Sequence, residues 1–465
     1  MAHIRTHRYG VPQRVQHTRE SEVAIDFSRG YNAGVPDYRL PDGYTGDVVN
    51  LVPSPYGFGL TPRSAFTVQT LYFSLDQADA LNQVHDTALN PMILSVAQNE
   101  IYKLEHVDPQ WSQLSRAGGI LSHTTKDHVE IIQASSSAIN RAIILNAGTN
   151  TPKYVDITRN VAIWSDFTFP YSIASTAYTG TMSDERLVLA NLRTPTSDNP
   201  TRLMWSVRGT PSNFQVASGA GFADLTELES GIMRLVQDTQ GFVVLADGEV
   251  WRARPRRDTY AFDFIPISRD LGCPFPGTAV RSPFGTIFVG QDFEVYTLTG
   301  SNLRPLGPAS DTGGVSRIRR KLRQYIEADP DFVWGLYDFV EQRYYVHVTS
   351  NRAFMYDFRT DSWWPEQYDA TLAYRGTMVT DIPAVRDNSR IWDDSPNTWD
   401  ELDIPWDDAG IVRPALEQSY ILTTSHVGVP YLRKSHITGD GYIPSAYTAH
   451  WTSPRLSANG RKHNY

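Results

Sequence analysis

In the segment 381–410, eight acidic side chains crowd residues 387–408: Asp387, Asp393, Asp394, Asp400, Glu401, Asp403, Asp407 and Asp408. Carboxylates at that density can chelate a divalent cation, but the Asp-x-Asp-x-Asp-Gly order and closing Glu of a calcium-binding EF-hand loop are missing. Trp392, Trp399 and Trp406 recur among the acids at seven-residue steps, yet Pro396 and Pro405 rule out the continuous helix that such spacing would otherwise imply. The expectation is a loop whose indoles and acids meet a partner rather than a metal. Upstream the charge reverses. Arg317, Arg319, Arg320, Lys321 and Arg323 share a segment in which Val315, Ile318, Leu322, Tyr325 and Ile326 recur at helical spacing, with Ser316 or Asp311-Thr312 available as a cap. This predicts an amphipathic helix whose basic residues lie mostly outward, as a solvated face or as a surface toward a subunit or DNA.

Three further carboxylates, Asp156, Asp224 and Asp357, could act as acid and base in hydrolysis if the fold brought them together. No Gly-x-x-x-x-Gly-Lys-Ser/Thr, His-Glu-x-x-His or Cys-x-x-Cys occurs, so phosphate-loop and zinc chemistry have no support in the sequence. The twelve histidines are dispersed, and Gly219-Ala220-Gly221 reads as a turn. The lone Cys273, between Gly272 and Pro274, cannot form an internal disulfide and reads as structural. No cofactor is expected.

The elements that must position these residues announce themselves by repetition. Gln98-Asn99-Glu100-Ile101-Tyr102, Asp247-Gly248-Glu249-Val250-Trp251 and Asp292-Phe293-Glu294-Val295-Tyr296 are each a polar turn followed by Glu, a β-branched residue and an aromatic. The second and third follow the apolar runs Phe242-Val243-Val244-Leu245 and Ile287-Phe288-Val289, so the repeated unit is a hairpin. Glu249 and Glu294 are 45 residues apart, a spacing that matches a four-stranded propeller blade and not a helical repeat. Taking Tyr102, Tyr154, Trp205, Trp251, Tyr296, Tyr356 and Tyr431 as equivalent aromatics gives an all-β fold, a β-propeller of about seven blades, with six to eight allowed. Tyr344-Tyr345-Val346-His347-Val348 and Ser362-Trp363-Trp364-Pro365 read as packing between blades, and Met355 to Trp364 resembles a kelch blade.

The domain reading is an extended arm over 1–60, a propeller over 61–440 with insertions at about 310–330 and 381–410, and a C-terminal strand and tail over 441–465. Ala65 to Phe73 reads as a strand of the first blade, or as an outer strand borrowed elsewhere. The first twenty residues carry Arg5, His7, Arg8, Arg14, His17 and Arg19, and such an arm has too little apolar content to order itself except along a propeller or a neighbouring subunit. No apolar run reaches the roughly 20 residues that span a bilayer, and Met1 to Arg8 lacks the apolar core of a signal peptide. A non-exported protein without a membrane anchor, in a reducing compartment, is expected. The formal charge of −9 opposes tight binding of nucleic acid over the whole surface, but it suits a wall past which a polyanion slides.

The run Arg202 to Phe214, with Trp205-Ser206 and Gly209-Thr210-Pro211, then the hairpin from Ile232 to Trp251, then Ser282-Pro283-Phe284-Gly285-Thr286-Ile287-Phe288-Val289-Gly290, resembles the tail nozzle (packaged-DNA stabilisation) proteins of short-tailed bacteriophages. The resemblance covers roughly residues 90 to 375. It implies a non-enzymatic virion protein, assembled in the host cytoplasm as a homo-hexameric ring below the portal and adaptor rings. Such a ring extends the channel for double-stranded DNA without reading its sequence, helps retain and eject the genome, and carries tail fibre or needle proteins. Interface or channel candidates are then Arg317, Arg319, Arg320, Lys321 and Arg323 on the helix, and Trp392, Trp399, Trp406, Asp393, Asp394, Asp400, Asp407 and Asp408 in the acidic loop. The alternatives are a carbohydrate-active propeller enzyme of the tail and a propeller scaffold for protein binding. The second lacks the Trp-Asp repeat of the commonest such family.

Overall fold

The computed structural model describes most of residues 29–367 apart from short connecting segments. Beyond them it describes only the strands Asp381–Ile382, Gln418–Ser419, Leu422–Thr424, Pro430–Arg433 and His450–Trp451. Six sheets follow one another, each an antiparallel up-and-down run in chain order. Blade 1 runs from Ala78–His85 to Trp111–Gln113, blade 2 from Val129–Ser135 to Ile163–Asp166, and blade 3 from Thr176–Ser183 to Gly221–Asp224. Blade 4 runs from Ile232–Asp238 to Phe262–Ser268, blade 5 from Val280–Ser282 to Asn302–Pro305, and blade 6 from Trp334–Asp338 to Ser362–Gln367. Ser115–Arg116 adds a fifth, parallel strand to the outer edge of blade 2. The fold is an all-β propeller.

Among the described residues there are six blades, not seven. Tyr102, Tyr154, Trp205, Trp251, Tyr296 and Tyr356 each fall on the third strand of a blade, so the aromatic repeat marks one place in the unit. Tyr431 instead lies on the middle strand of a three-stranded sheet, between Leu422–Thr424 and the distant Phe66–Val68. Counting one aromatic per unit cannot tell that smaller sheet from a full blade. The sheet draws its edge from the Ala65 to Phe73 run, and its Leu422–Thr424 strand packs on Ala78–His85 of blade 1.

The second strand of each blade is the most apolar because neighbouring blades cover both of its faces. On Asn140–Asn146, Ala142 and Ile144 pack toward blade 1, while Ile143 and Leu145 pack toward blade 3. The alternation repeats around the ring and, among the described residues, builds five interblade cores. The last of these, between blades 5 and 6, holds Tyr344, Tyr345, Trp363 and Trp364, each at most 1% exposed. These aromatics are core packing.

The repeated Glu has a structural use. In blade 4, Glu249 is buried, its Oε1 accepts the backbone N–H of Glu229 at 2.9 Å, and its Oε2 accepts the Trp251 indole N–H at 2.8 Å. A carboxylate after the turn therefore ties the hairpin to the connection arriving from blade 3. Cys273 is fully buried against Thr278, and burial pushes its thiol up to about 12, which leaves it an inert core group.

Candidate functional site

The first strand of every blade is the innermost, and the six together line a cavity of about 450 Å³ on the propeller axis. Inner strands crowd one another closely enough that some positions admit only glycine. A Cβ on Gly335 of blade 6 would fall 2.5 Å from the Thr278 carbonyl oxygen ahead of blade 5.

One carboxylate in this cavity joins three blades. Glu130 on blade 2 accepts hydrogen bonds through Oε2 from the Thr179 hydroxyl at 2.9 Å and the Gly180 backbone N–H at 3.3 Å, both on blade 3. The same oxygen lies 3.2 Å from Arg234 Nη1 on blade 4. Thr179 Oγ1 in turn accepts the Leu235 N–H at 3.1 Å, and Arg234 Nη1 stands 2.5 Å from His128 Nε2. Burial pushes the Glu130 carboxyl above its ordinary range, against the opposing pull of Arg234 and of the two hydrogen bonds. The group acts as a spoke across three blades, supplying an acceptor to donors that no strand ladder serves.

Toward the turns that join first and second strands, Arg281 of blade 5 is exposed and donates through Nη1 to Gln237 Oε1 of blade 4 at 3.1 Å. On blade 6 the Tyr337 ring is buried in the core shared with blade 5, against Phe339 and Phe358, and its hydroxyl has no hydrogen-bond partner among the described residues.

The predicted basic helix is present as α1, Arg319–Ile326, with Leu322 and Ile326 buried against blade 6. Its N-cap is Ile318, with no side-chain cap, and Ser316 and Asp311-Thr312 lie outside the described residues. The expectation that its cations lie mostly outward needs one correction: Arg317 is turned inward and is 3% exposed. It donates to the Arg29 carbonyl at 2.9 Å and to the Tyr44 hydroxyl, and its guanidinium stacks 4.2 Å over the Tyr44 ring. A planar cation that caps an aromatic and satisfies a carbonyl is more stable there than in water, whatever the pattern of its neighbours. Arg317 thus clasps the arm to its own propeller, and Val48–Val49 and Leu51–Pro53 continue along the outer strand of blade 6, where the Gln367 N–H donates to Asn50 Oδ1 at 2.8 Å.

Arg319 donates to the Asp292 carbonyl at 2.8 Å and Arg323 to Glu327 Oε1 at 2.8 Å, while Arg320 is exposed and Lys321 half-buried. None of the five lines the axial cavity. Trp392, Trp399, Trp406, Asp393, Asp394, Asp400, Asp407 and Asp408 lie outside the described residues.

The three carboxylates weighed for hydrolysis are not brought together. Asp156 meets Arg141 at 2.5 Å on blade 2, and Asp224 forms a two-pronged pair with Arg202 at 2.6 and 2.7 Å on blade 3. Asp357, fully buried on blade 6, accepts from Arg343 at 3.0 Å and Arg359 at 2.8 Å. Burial alone would raise the Asp357 carboxyl, but the hydrogen bonds and charges of Arg359 and Arg343 together outweigh it and hold the group below its usual 3.8. A depressed folded-state value means that the contribution is complete above pH 3.8 and is lost as pH falls through that lower value. In urea unfolding, the stability gap between wild type and Asp357→Asn is therefore expected to stay constant near neutrality and to shrink below about pH 4. A gap that is flat with pH would contradict the assignment.

No protein-family model matches the chain, and no curated protein matches it. Among solved structures, the chain is similar to Raptor from Chaetomium thermophilum at 8% identity and a TM-score of 0.45, over 82% of this chain and 30% of that one. It is similar to virginiamycin B lyase from Staphylococcus aureus, in a catalytically inactive form with quinupristin, at 9% identity and 0.43, over 80% and 100% of the two chains. YCF48 bound to a D1 peptide gives 10% identity and 0.39, over 82% and 95%. Likeness at this level extends to the fold and no further.

Glu130, Thr179, Arg234, Arg281 and Tyr337 were not legible as a group. The signal available was a single charge inside an apolar strand, Glu130 in Val129-Glu130-Ile131-Ile132 and Arg234 in Ile232-Met233-Arg234-Leu235. A charge in such a run must find a partner, but the partner is named only by the fold.

Proposed function

We propose that this chain is a structural, non-catalytic subunit of the tail of a short-tailed phage: a nozzle protein that forms a homo-hexameric ring in the virion, beneath the portal and adaptor rings. In this reading double-stranded DNA passes through a lumen shared by the six subunits, and tail fibre or needle proteins attach to the ring's outer surfaces. The observation that carries the reading is the axial cavity. At about 450 Å³ and spanned by the Glu130–Thr179–Arg234 spoke, it is far too small for a duplex roughly 20 Å wide. The propeller is then a solid building block, and a conduit has to lie between blocks.

Two further features support the reading. The arm is laid against the outer strand of blade 6, at the edge of the propeller. Ile163, Val216 and Phe222, at 54%, 55% and 56% exposed, leave apolar side chains on the outer parts of blades 2 and 3. The carbohydrate-cleaving alternative has less support, because its candidate carboxylates are held by arginines on separate blades.

Mass photometry of the purified protein is expected to give a species of six subunit masses. Reversing the charge of Arg320 and Lys321 to Glu is expected to shift that species toward monomers, since both sit on α1 without an acidic partner among the described residues. Rings that persist in the double variant would remove the helix from the interface, and monomers throughout for wild type would overturn the ring.

A further inference from the structure

We propose that the aromatic patch at the turn end of blades 5 and 6 is a docking surface for this chain's own acidic segment, residues 387–408, whose tryptophans lie on the rings and whose acids lie among the arginines around them. The inference stands apart from the ring. Phe284, in the turn between the first two strands of blade 5, is 38% exposed, and Phe339, in the corresponding turn of blade 6, is 52% exposed. They belong to one surface. Phe284 stacks face to face on Phe358 with centroids 4.3 Å apart, and the buried Tyr337 ring meets Phe358 at 5.8 Å and Phe339 at 4.9 Å. Four contiguous rings thus bridge two blades with their outer members in water, an arrangement that marks a docking surface.

The charge around the rings selects the occupant. Arg281, on the inner strand of blade 5, and Arg304, on its outer strand, are both exposed, and neither has an acidic partner among the described residues. Arg359 follows Phe358 and is 38% exposed. Burial raises the Tyr356 phenol of blade 6 and the nearby Arg304 charge pulls against it, which places Arg304 on the side of blade 5 that faces the patch. Aromatic rings beside arginines that lack acids suit a segment of the complementary chemistry, and the chain itself holds one. Residues 387–408 carry eight acids and three tryptophans against one cation, Arg390, and supply most of the net charge of −9. Their place in the chain also fits. Asp381–Ile382 pairs with Gln418–Ser419, so the segment leaves and returns at one base. From Gln367, at the end of blade 6, to Asp387 is 20 residues, which is roughly 60 Å when extended and about three times the length of a blade strand.

Hydrogen exchange of the full chain, read by mass spectrometry, tests this. Residues 387–408 are expected to exchange roughly tenfold or more slowly in wild type than in either of two surface variants, Phe284→Ala with Phe339→Ala and Arg281→Glu with Arg304→Glu. All four side chains are exposed, so both variants are expected to melt with wild type; should the aromatic pair fail to fold, the charge-reversed pair still decides. Replacing Trp392, Trp399 and Trp406 together by serine is expected to speed exchange in the turns at Phe284 and Phe339, which reads the same contact from the other side. The rates are expected to hold on dilution, because segment and surface share one chain. Three results would overturn the proposal: a segment that exchanges in wild type like an unprotected peptide, a rate that either folded variant leaves unchanged, or protection lost on dilution, which would assign the contact to a neighbouring copy.

Discussion

Glu130→Ala is expected to destabilise the propeller by about 3–5 kcal/mol, the range for removing one partner of a buried, hydrogen-bonded ion pair. The size follows from what is left behind. The Gly180 N–H, the Thr179 hydroxyl and the Arg234 guanidinium all converge on Glu130 Oε2 at 2.9 to 3.3 Å, and alanine offers none of them an acceptor. The affected groups belong to blades 2, 3 and 4, so the loss is shared by two interblade cores. Substituting an exposed acid such as Glu227, paired with Arg269 at 2.7 Å on the surface, is expected to cost under about 1 kcal/mol and serves as the control. Urea unfolding of the two variants beside wild type checks the difference. A Glu130→Ala cost no larger than the control's would mean that the spoke holds nothing together.

Arg317→Ala is expected to cost about 2–4 kcal/mol and to release the arm from blade 6, again because a buried charged donor set is removed. Arg317 is the point where the arm and the blade 5 to blade 6 connection meet. Its side chain donates to the Arg29 carbonyl and the Tyr44 hydroxyl, and its own carbonyl accepts the Ala33 N–H at 2.8 Å. The backbone bond survives the substitution and the side-chain clasp does not. Limited proteolysis is expected to cleave the variant within the first 45 residues well before wild type, while the blades resist equally in both. Unchanged cleavage would show that the contacts of Asn50 with Gln367 and Pro365 hold the arm without the clasp.

The blade repeat was legible because its signal is local. An apolar second strand, a polar turn and an aromatic third strand lie within about twenty residues, and covering both faces of the sheet forces the composition. The helix was legible for the same reason: Ile318, Leu322 and Ile326 all face one core. What was not legible depends on residues far apart in the chain. The pattern sets Arg317 beside Arg319, Arg320, Lys321 and Arg323 as one more outward cation, and the Arg29 carbonyl and Tyr44, 288 and 273 residues away, turn it inward. Glu130 and Thr179 are separated by 49 residues, one blade apart, and neither shows in sequence that it faces the axis. The blade count falls at six, inside the expected six to eight, because the strand of Tyr431 pairs with Phe66–Val68 in a smaller sheet rather than in a seventh blade. Asp156, Asp224 and Asp357 each have an arginine across a strand pair or just after a turn, which is a visible hint of local pairing rather than convergence.

Electron cryomicroscopy of the virions in which the proposed function places this protein tests the account most directly. The account predicts six propellers side by side around one axis at a capsid vertex, with duplex density in the lumen they share and none along any propeller's own axis. Isolated propellers, a ring with no opening wide enough for a duplex, or nucleic acid threaded through the cavity lined by Glu130 and Arg281 would contradict it.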